Sequence, residues 1–232
     1  MRAPVSVIIP TLNAADGLPA TLGSLGEGLE AGLIRELIIA DGGSQDATRT
    51  IAEAAGADWL TGPAGRGVQI AQGIAAAKGA WLLVLHADTV LEAGWSRPVL
   101  SHIANAPDKA GYGRLAFAAR GFAPRFVAGW ANLRARFLGL PYGDQALLIS
   151  AELLANTGGY PSLPLMEDVA LARALKGKLV PLGLTALTDA RKYEKSGWMR
   201  RGSRNLWLLL RYFLGADPAA LARLYQRSDR SS

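Results

Sequence analysis

Cysteine is absent from all 232 residues, so no disulfide holds this fold together. That fits a reducing cytoplasm as the expected compartment. Long apolar runs are missing too. No uncharged apolar stretch approaches the ~18–20 residues that span a bilayer. The first strand-like run, residues 5–9, comes at once, without the basic region, apolar core and cleavage site of a signal peptide. Acid is scarce at the C-terminal end. Residues 191–230 hold ten Lys or Arg against three acids, although the whole chain carries only +6. Basicity confined to one segment argues against a nucleic-acid binder. It suits an anionic lipid surface, a polyanionic ligand or plain solubility.

Half of the residues are apolar, enough for one sizeable core. Strand-like and helix-like segments alternate through the first half. Strands are expected at 5–9, 36–40, 58–60 and 81–85, with helices at 16–29, 46–55, 68–77 and 94–104. That alternation means βαβ units and a parallel, doubly wound α/β sheet. A mixed second half follows, with strands at 112–118 and 145–149 and helices at 124–138 and 168–175. After Lys195, Leu206, Leu209, Leu210, Phe213 and Leu214 share one helical face. Arg200, Arg204, Trp207 and Arg211 fall on another. The expected organisation is a domain over 1–197 and a basic amphipathic helical extension over 198–232. The apolar stripe of that extension either docks on the domain or lies at a membrane. In the second case residues 198–227 would meet anionic headgroups, through Arg200, Arg204 and Arg211 with Trp207 at the interface.

The apolar run Trp81-Leu82-Leu83-Val84-Leu85 ends abruptly in His86-Ala87-Asp88-Thr89. Such a run reads as a buried parallel strand, and ligands sit beyond the carboxyl ends of such strands. Asp88 is thus placed to hold a cation or a nucleotide. Pro10-Thr11-Leu12-Asn13 and Asp41-Gly42-Gly43-Ser44 follow two other strands, and Glu167-Asp168 opens a late helix. Taken singly, each of these is an ordinary turn or helix cap. Together, in order, they carry more.

Val-Ile-Ile-Pro-Thr-Leu-Asn (7–13), Ile-Ile-Ala-Asp-Gly-Gly-Ser-Gln-Asp-Ala-Thr (38–48), Leu-His-Ala-Asp-Thr (85–89) and Glu167-Asp168 make the chain resemble a family 2 glycosyltransferase of the GT-A fold. Gly-Leu-Pro-Tyr-Gly-Asp-Gln (139–145) and Leu-Pro-Leu-Met-Glu-Asp-Val (163–169) bring it nearer a bacterial subgroup named for arsenosugar biosynthesis. The resemblance implies an inverting transferase that takes a sugar from a UDP- or GDP-linked donor to a small-molecule or lipid-linked acceptor hydroxyl. Pro10, Thr11 and Asp41 would line the nucleotide pocket, and Arg66 would approach the phosphates. Asp88 would hold Mg²⁺ or Mn²⁺ against the diphosphate. Asp168 would be the general base, with Glu167 positioning. Tyr142, Asp144 and Gln145 would face the acceptor, and Arg191 and Lys192 the diphosphate.

Three positions depart from the family pattern. The acidic-x-acidic metal motif is His86-Ala87-Asp88 here, so His86 would contact the ribose or the metal. Ala14-Ala15 replaces acidic residues, and Ala71-Gln72 replaces a common Asn. Two other functions stay open at the level of sequence. One is a nucleotidyltransferase, disfavoured because the first loop lacks basic residues for a triphosphate. The other is a degenerate, membrane-docked nucleotide-sugar binder without turnover.

Overall fold

The computed structural model describes residues 3–230, with the side chains of residues 192, 196 and 226–230 left out of the description. Eleven helices and eight strands are described. Strand β1 (Val5–Thr11) leads through helices α1 (Leu18–Ser24) and α2 (Gly26–Glu30) to β2 (Ile34–Asp41). Helix α3 (Thr48–Ala54), β3 (Asp58–Thr61), α4 (Arg66–Ala76) and β4 (Trp81–Val84) complete the βαβ half. Then come β5 (Thr89–Leu91), α5 (Ser96–Asn105), β6 (Ala110–Phe117) and α6 (Phe122–Leu138). A 3-10 turn at Gly143–Gln145 enters β7 (Leu147–Ser150), followed by α7 (Ala151–Asn156), α8 (Glu167–Ala174) and β8 (Leu179–Thr188). Helices α9 (Arg191–Ser196), α10 (Trp198–Phe213) and α11 (Pro218–Arg230) close the chain.

All eight strands form one sheet in the order β3-β2-β1-β4-β7-β6-β8-β5. Strands β1 to β4 are parallel, as the alternating pattern predicts. Strand β7 enters antiparallel between β4 and β6, and β8 runs parallel to β6. The start of β7 therefore lies at the same edge as the ends of β1, β2 and β4. That reversal brings the 142–145 turn to the loops after the parallel strands. Residues Val5, Val7, Ile9, Leu83 and Leu85 form the main core with Trp95 and Leu148. Ile8, Leu82 and Ile149 fill the opposite face of the sheet against α7 and α8.

The structure corrects four expectations. The 16–29 helix is two helices, broken at Leu25. Strands β5 and β8 were not expected. Pro181 and Gly183 punctuate β8, and both residues normally mark a strand's end. A bulge against β6 absorbs them: Tyr112 pairs with Pro181, but Arg114 pairs with Thr185. The α10 stripe also splits. Leu208 and Leu209 are buried with Leu140, Met166, Val169 and Leu221, whereas Leu206, Leu210, Phe213 and Leu214 stay exposed. Finally, Arg204 turns toward the protein, its guanidinium 4.8 Å from the Tyr225 ring centre, and not outward to headgroups. No helix among the described residues is long and apolar enough to cross a membrane.

Candidate functional site

The loops after β1 and β2 are stitched into one unit. Thr11 donates to Asp41 Oδ1 at 2.8 Å, and the amides of Gly43 and Ser44 donate to Oδ2 at 2.8 and 2.7 Å. The Ser44 hydroxyl also donates to Oδ1. A carboxylate offers about four acceptor sites, so Asp41, 2% exposed, is filled from within its own loop. Burial pushes its carboxyl up, but the bonds from Ser44, Thr11 and Gly43 outweigh this and hold it below the usual value. The expected bond to base or ribose thus has no vacant lone pair to use in this conformation. Pro10 is buried in β1, next to Thr11. Gln69 on α4 ties both loops to the helix, donating to the carbonyls of Thr11 and Ala40 at 2.6 and 2.8 Å. At Ala14 and Ala15, which depart from the acidic residues of the family pattern, the backbone amides donate to Thr48 and Asp46 at 2.8 and 3.0 Å.

One turn N-terminal on α4, Arg66 reaches the other half of the molecule. Its Nε donates to Glu167 Oε1, and its Nη2 stands 3.8 Å from Asp168 Oδ2. Gly67 permits this. A Cβ there would lie 2.5 Å from the Leu163 carbonyl oxygen and 2.8 Å from that of Pro161. Burial alone would weaken the guanidinium's charge, but Glu167 and Asp168 outweigh it, so Arg66 stays protonated. Glu167 is 1% exposed, and its Oε2 is buried with no hydrogen-bond partner. Burial pushes its carboxyl up; Arg66 pulls part of the way back, and Asp168 pushes it up further.

Asp168 is fixed by backbone donors. Gly143 N donates to its Oδ2 at 3.0 Å, and Val169 N to its Oδ1 at 2.8 Å. The same Gly143 lies against His86, where a Cβ would approach Nε2 to 2.5 Å. The turn carrying Gly143 therefore joins the post-β4 loop to α8. Thr21 holds that loop at the Ala87 carbonyl, 3.0 Å, and Asp189 N bonds the Asp88 carbonyl at 3.1 Å. Asp144 belongs to this cluster electrostatically. Burial pushes its carboxyl up to about 6; Arg134 and Arg66 pull it down, and Asp168 and Asp88 push it up. Its Oδ1 is buried with no hydrogen-bond partner.

The structure thus brings Arg66, His86, Asp88, Tyr142, Asp144, Glu167 and Asp168 to one edge of the sheet. A cavity of 30 Å³ lies beside Asp168, lined by Tyr142, Tyr160, Val84 and Leu171 among others. Gln145 is fully buried, its amide donating to the Gly113 carbonyl at 3.1 Å and to Asn132 at 3.3 Å. It shapes the turn and offers no face to a ligand. Arg191 sits on the rim, paired with Asp16 and Asp189 at 2.8 and 2.5 Å. The Lys192 side chain lies outside the described residues. Three non-glycine residues have positive φ among the described residues: Asn13, Ala146 and Met166. Each abuts a site loop. Such backbone costs about 1 kcal/mol or more apiece and clusters at functional sites.

Two participants were missed in the sequence. Arg134 is 8% exposed, stacked 3.3 Å over the Tyr142 ring, with Nε on the Leu140 carbonyl at 3.0 Å. Helical phase with the small residues Ala131 and Ala135 could have revealed it, because that face is the buried one. Tyr160, in a Gly/Pro-rich loop, shows no comparable pattern.

A mostly parallel sheet with an acidic and arginine-bearing site at its carboxyl edge defines an α/β protein of the GT-A type. The chain belongs to glycosyl transferase family 2, which matches residues 6–138. The match includes Thr11, Asp41, Arg66, His86 and Asp88 and ends before Tyr142. Solved structures share the fold. Staphylococcus aureus TarS 1–349 in complex with UDP superposes with a TM-score of 0.59 at 16% identity, over 81% of this chain. The chain spans 61% of that TarS chain. Glucosyl-3-phosphoglycerate synthase from Mycobacterium tuberculosis, in complex with Mn²⁺, UDP and glucosyl-3-phosphoglycerate, gives a TM-score of 0.57 at 21% identity. There 85% of this chain covers 76% of the other. No curated protein sequence matches significantly.

Proposed function

We propose that this protein transfers a sugar from a nucleotide-sugar donor, UDP- or GDP-linked, to an acceptor hydroxyl with inversion, assisted by Mg²⁺ or Mn²⁺. The observation that carries this reading is the junction of Arg66 with Glu167 and Asp168. It couples the helix that leaves the nucleotide-side loops to the helix that bears the base. The UDP-bound and Mn²⁺-bound relatives share the fold and support the donor and the cation.

In the proposed step Asp168 takes the acceptor proton, with Gly143 and Val169 amides fixing its two oxygens. The acceptor oxygen bonds the anomeric carbon as the carbon–diphosphate bond breaks, and that electron pair leaves with the diphosphate. One displacement gives one inversion. Arg66 faces the growing negative charge. Glu167 positions Arg66 and does not react.

The cation fits these residues in a particular way. Among the described residues no three His, Cys, Asp or Glu side chains stand together as a metal cage. Mg²⁺ is commonly held by one or two carboxylates plus phosphate oxygens and water. Asp88 would hold it, with the unpartnered Asp144 Oδ1 nearby in the same field. The bound cation would neutralise the leaving diphosphate. The subgroup resemblance of 139–145 and 163–169 bears on the acceptor side, where Tyr142, Asp144 and Asp168 stand.

The test is release of free nucleoside diphosphate from a panel of UDP- and GDP-sugars, with and without Mn²⁺. Turnover that needs Mn²⁺ and is lost in Asp168→Asn supports the proposal. Turnover unchanged in Asp168→Asn defeats the assigned base. Nucleotide binding without any turnover favours the degenerate binder.

A further inference from the structure

Helix α6 has two faces that do different things. Ala128, Ala131, Arg134 and Ala135 are buried. Phe122, Phe126, Trp130, Leu133 and Phe137 repeat at four, four, three and four residues, which puts them on the opposite face. They are exposed, from 47% at Trp130 to 82% at Phe122. Arg125 and Arg136 lie about a quarter turn round the helix from that stripe.

Helix α10 packs on α6 and repeats the design. Met199, Leu206, Leu210 and Phe213 form its exposed stripe. Arg200 and Arg211 flank it, Arg211 lying 4.9 Å over the half-exposed Trp207 ring. Neither helix carries an acid. None occurs in residues 109–143 or 195–216.

We infer that the exposed faces of α6 and α10 form one docking surface for an anionic lipid bilayer. Aromatic and aliphatic side chains enter the headgroup–acyl boundary, and the flanking arginines meet lipid phosphates. Charge decides against a second copy as occupant. A two-fold contact would set these arginines against their own copies with no acid in either segment to balance them. The surface extends the reading of the C-terminal extension to α6, which lies outside it. The inner face of α6 also serves the site: Arg134 stacks on Tyr142, and Asn132 bonds Gln145. Docking would hold the acceptor side of the site at headgroup level. That last link rests on the transferase reading and specifies its acceptor as an amphiphile with a hydroxyl-bearing head.

Flotation of the full chain tests this, with vesicles of phosphatidylglycerol and phosphatidylcholine against vesicles of phosphatidylcholine alone. Partitioning should be about a hundredfold or more stronger on the anionic vesicles, since four arginines each contribute near the surface. Phe126→Glu with Trp130→Glu should abolish it while leaving thermal stability unchanged. Arg125→Glu with Arg136→Glu should remove the preference for phosphatidylglycerol. A UDP- or GDP-induced thermal shift, read without vesicles, reports the donor site separately, so either idea can fail alone. Absence of flotation at low salt, or flotation equal in the Phe126/Trp130 variant, overturns the inference. So does a dimer in sedimentation equilibrium that the same variant disperses.

Discussion

Asp144→Asn should make the protein more stable at neutral pH. The Asp144 carboxyl is pushed up to about 6 from an ordinary 3.8, by burial first, with Arg134 and Arg66 offsetting part and Asp168 and Asp88 adding to it. An acid whose folded value lies above its unfolded value binds more protons when folded. Stability therefore falls as pH rises from about 4 to about 6, and the full cost remains above that. A shift of about two units is worth about 3 kcal/mol at most. Asn removes that cost but brings an amide donor to a position where Oδ1 has no partner, a penalty of about 1–2 kcal/mol. The net gain at pH 7.5 is about 1–2 kcal/mol, or about 2–6 °C in Tm for a chain of this size. At pH 3.5 the ionisation cost has almost gone while the amide penalty stays, so there the variant should be less stable than the parent, by about 1–2 kcal/mol. Urea denaturation across this pH range, in EDTA, reads the effect. A variant less stable than the parent at pH 7.5, or an offset of the same sign and size at both pH values, would refute the reasoning. Turnover should fall in the same variant, since a residue that costs stability where it stands is retained for its task.

Gly67→Ala should lower stability by about 1–3 kcal/mol, because the added Cβ meets the Leu163 and Pro161 carbonyls. Gly129→Ala on exposed α6 meets nothing within 4 Å and should stabilise by up to about 1 kcal/mol; thermal melts of the pair check the contrast. Glu167→Gln should raise the donor KM and retain kcat within about tenfold, whereas Asp168→Asn should lose about 10²–10⁴-fold in kcat. Steady-state kinetics separate the two, and equal kcat losses would count against the division of labour.

The parallel half of the fold was legible because each strand is an apolar run that ends in a turn motif: Pro10-Thr11, Asp41-Gly42 and His86-Ala87-Asp88 all fall at the sheet's carboxyl edge. Glu167 and Asp168 were legible as a pair, but not their tie to Arg66, which lies 101 residues away. Strand β8 was hidden by Pro181 and Gly183, and only its partner β6 makes a bulge there workable. Asp41 shows a different limit. Its position was readable, but sequence could not show that Thr11, Gly43 and Ser44 occupy its oxygens. On α10 the apolar spacing was real, yet which of two adjacent faces docks depended on where Leu140 and Val169 present a surface.

The most direct test of the account is a thermal-shift panel of UDP, GDP and their sugars, each with and without Mn²⁺, on the parent and on Asp88→Ala. A ligand at a hundredfold excess over its Kd adds about 2.7 kcal/mol. The account predicts a shift with one nucleotide that grows with Mn²⁺, and loses its Mn²⁺ dependence in Asp88→Ala. No shift with any nucleotide, or a Mn²⁺-dependent shift that survives in Asp88→Ala, would contradict it.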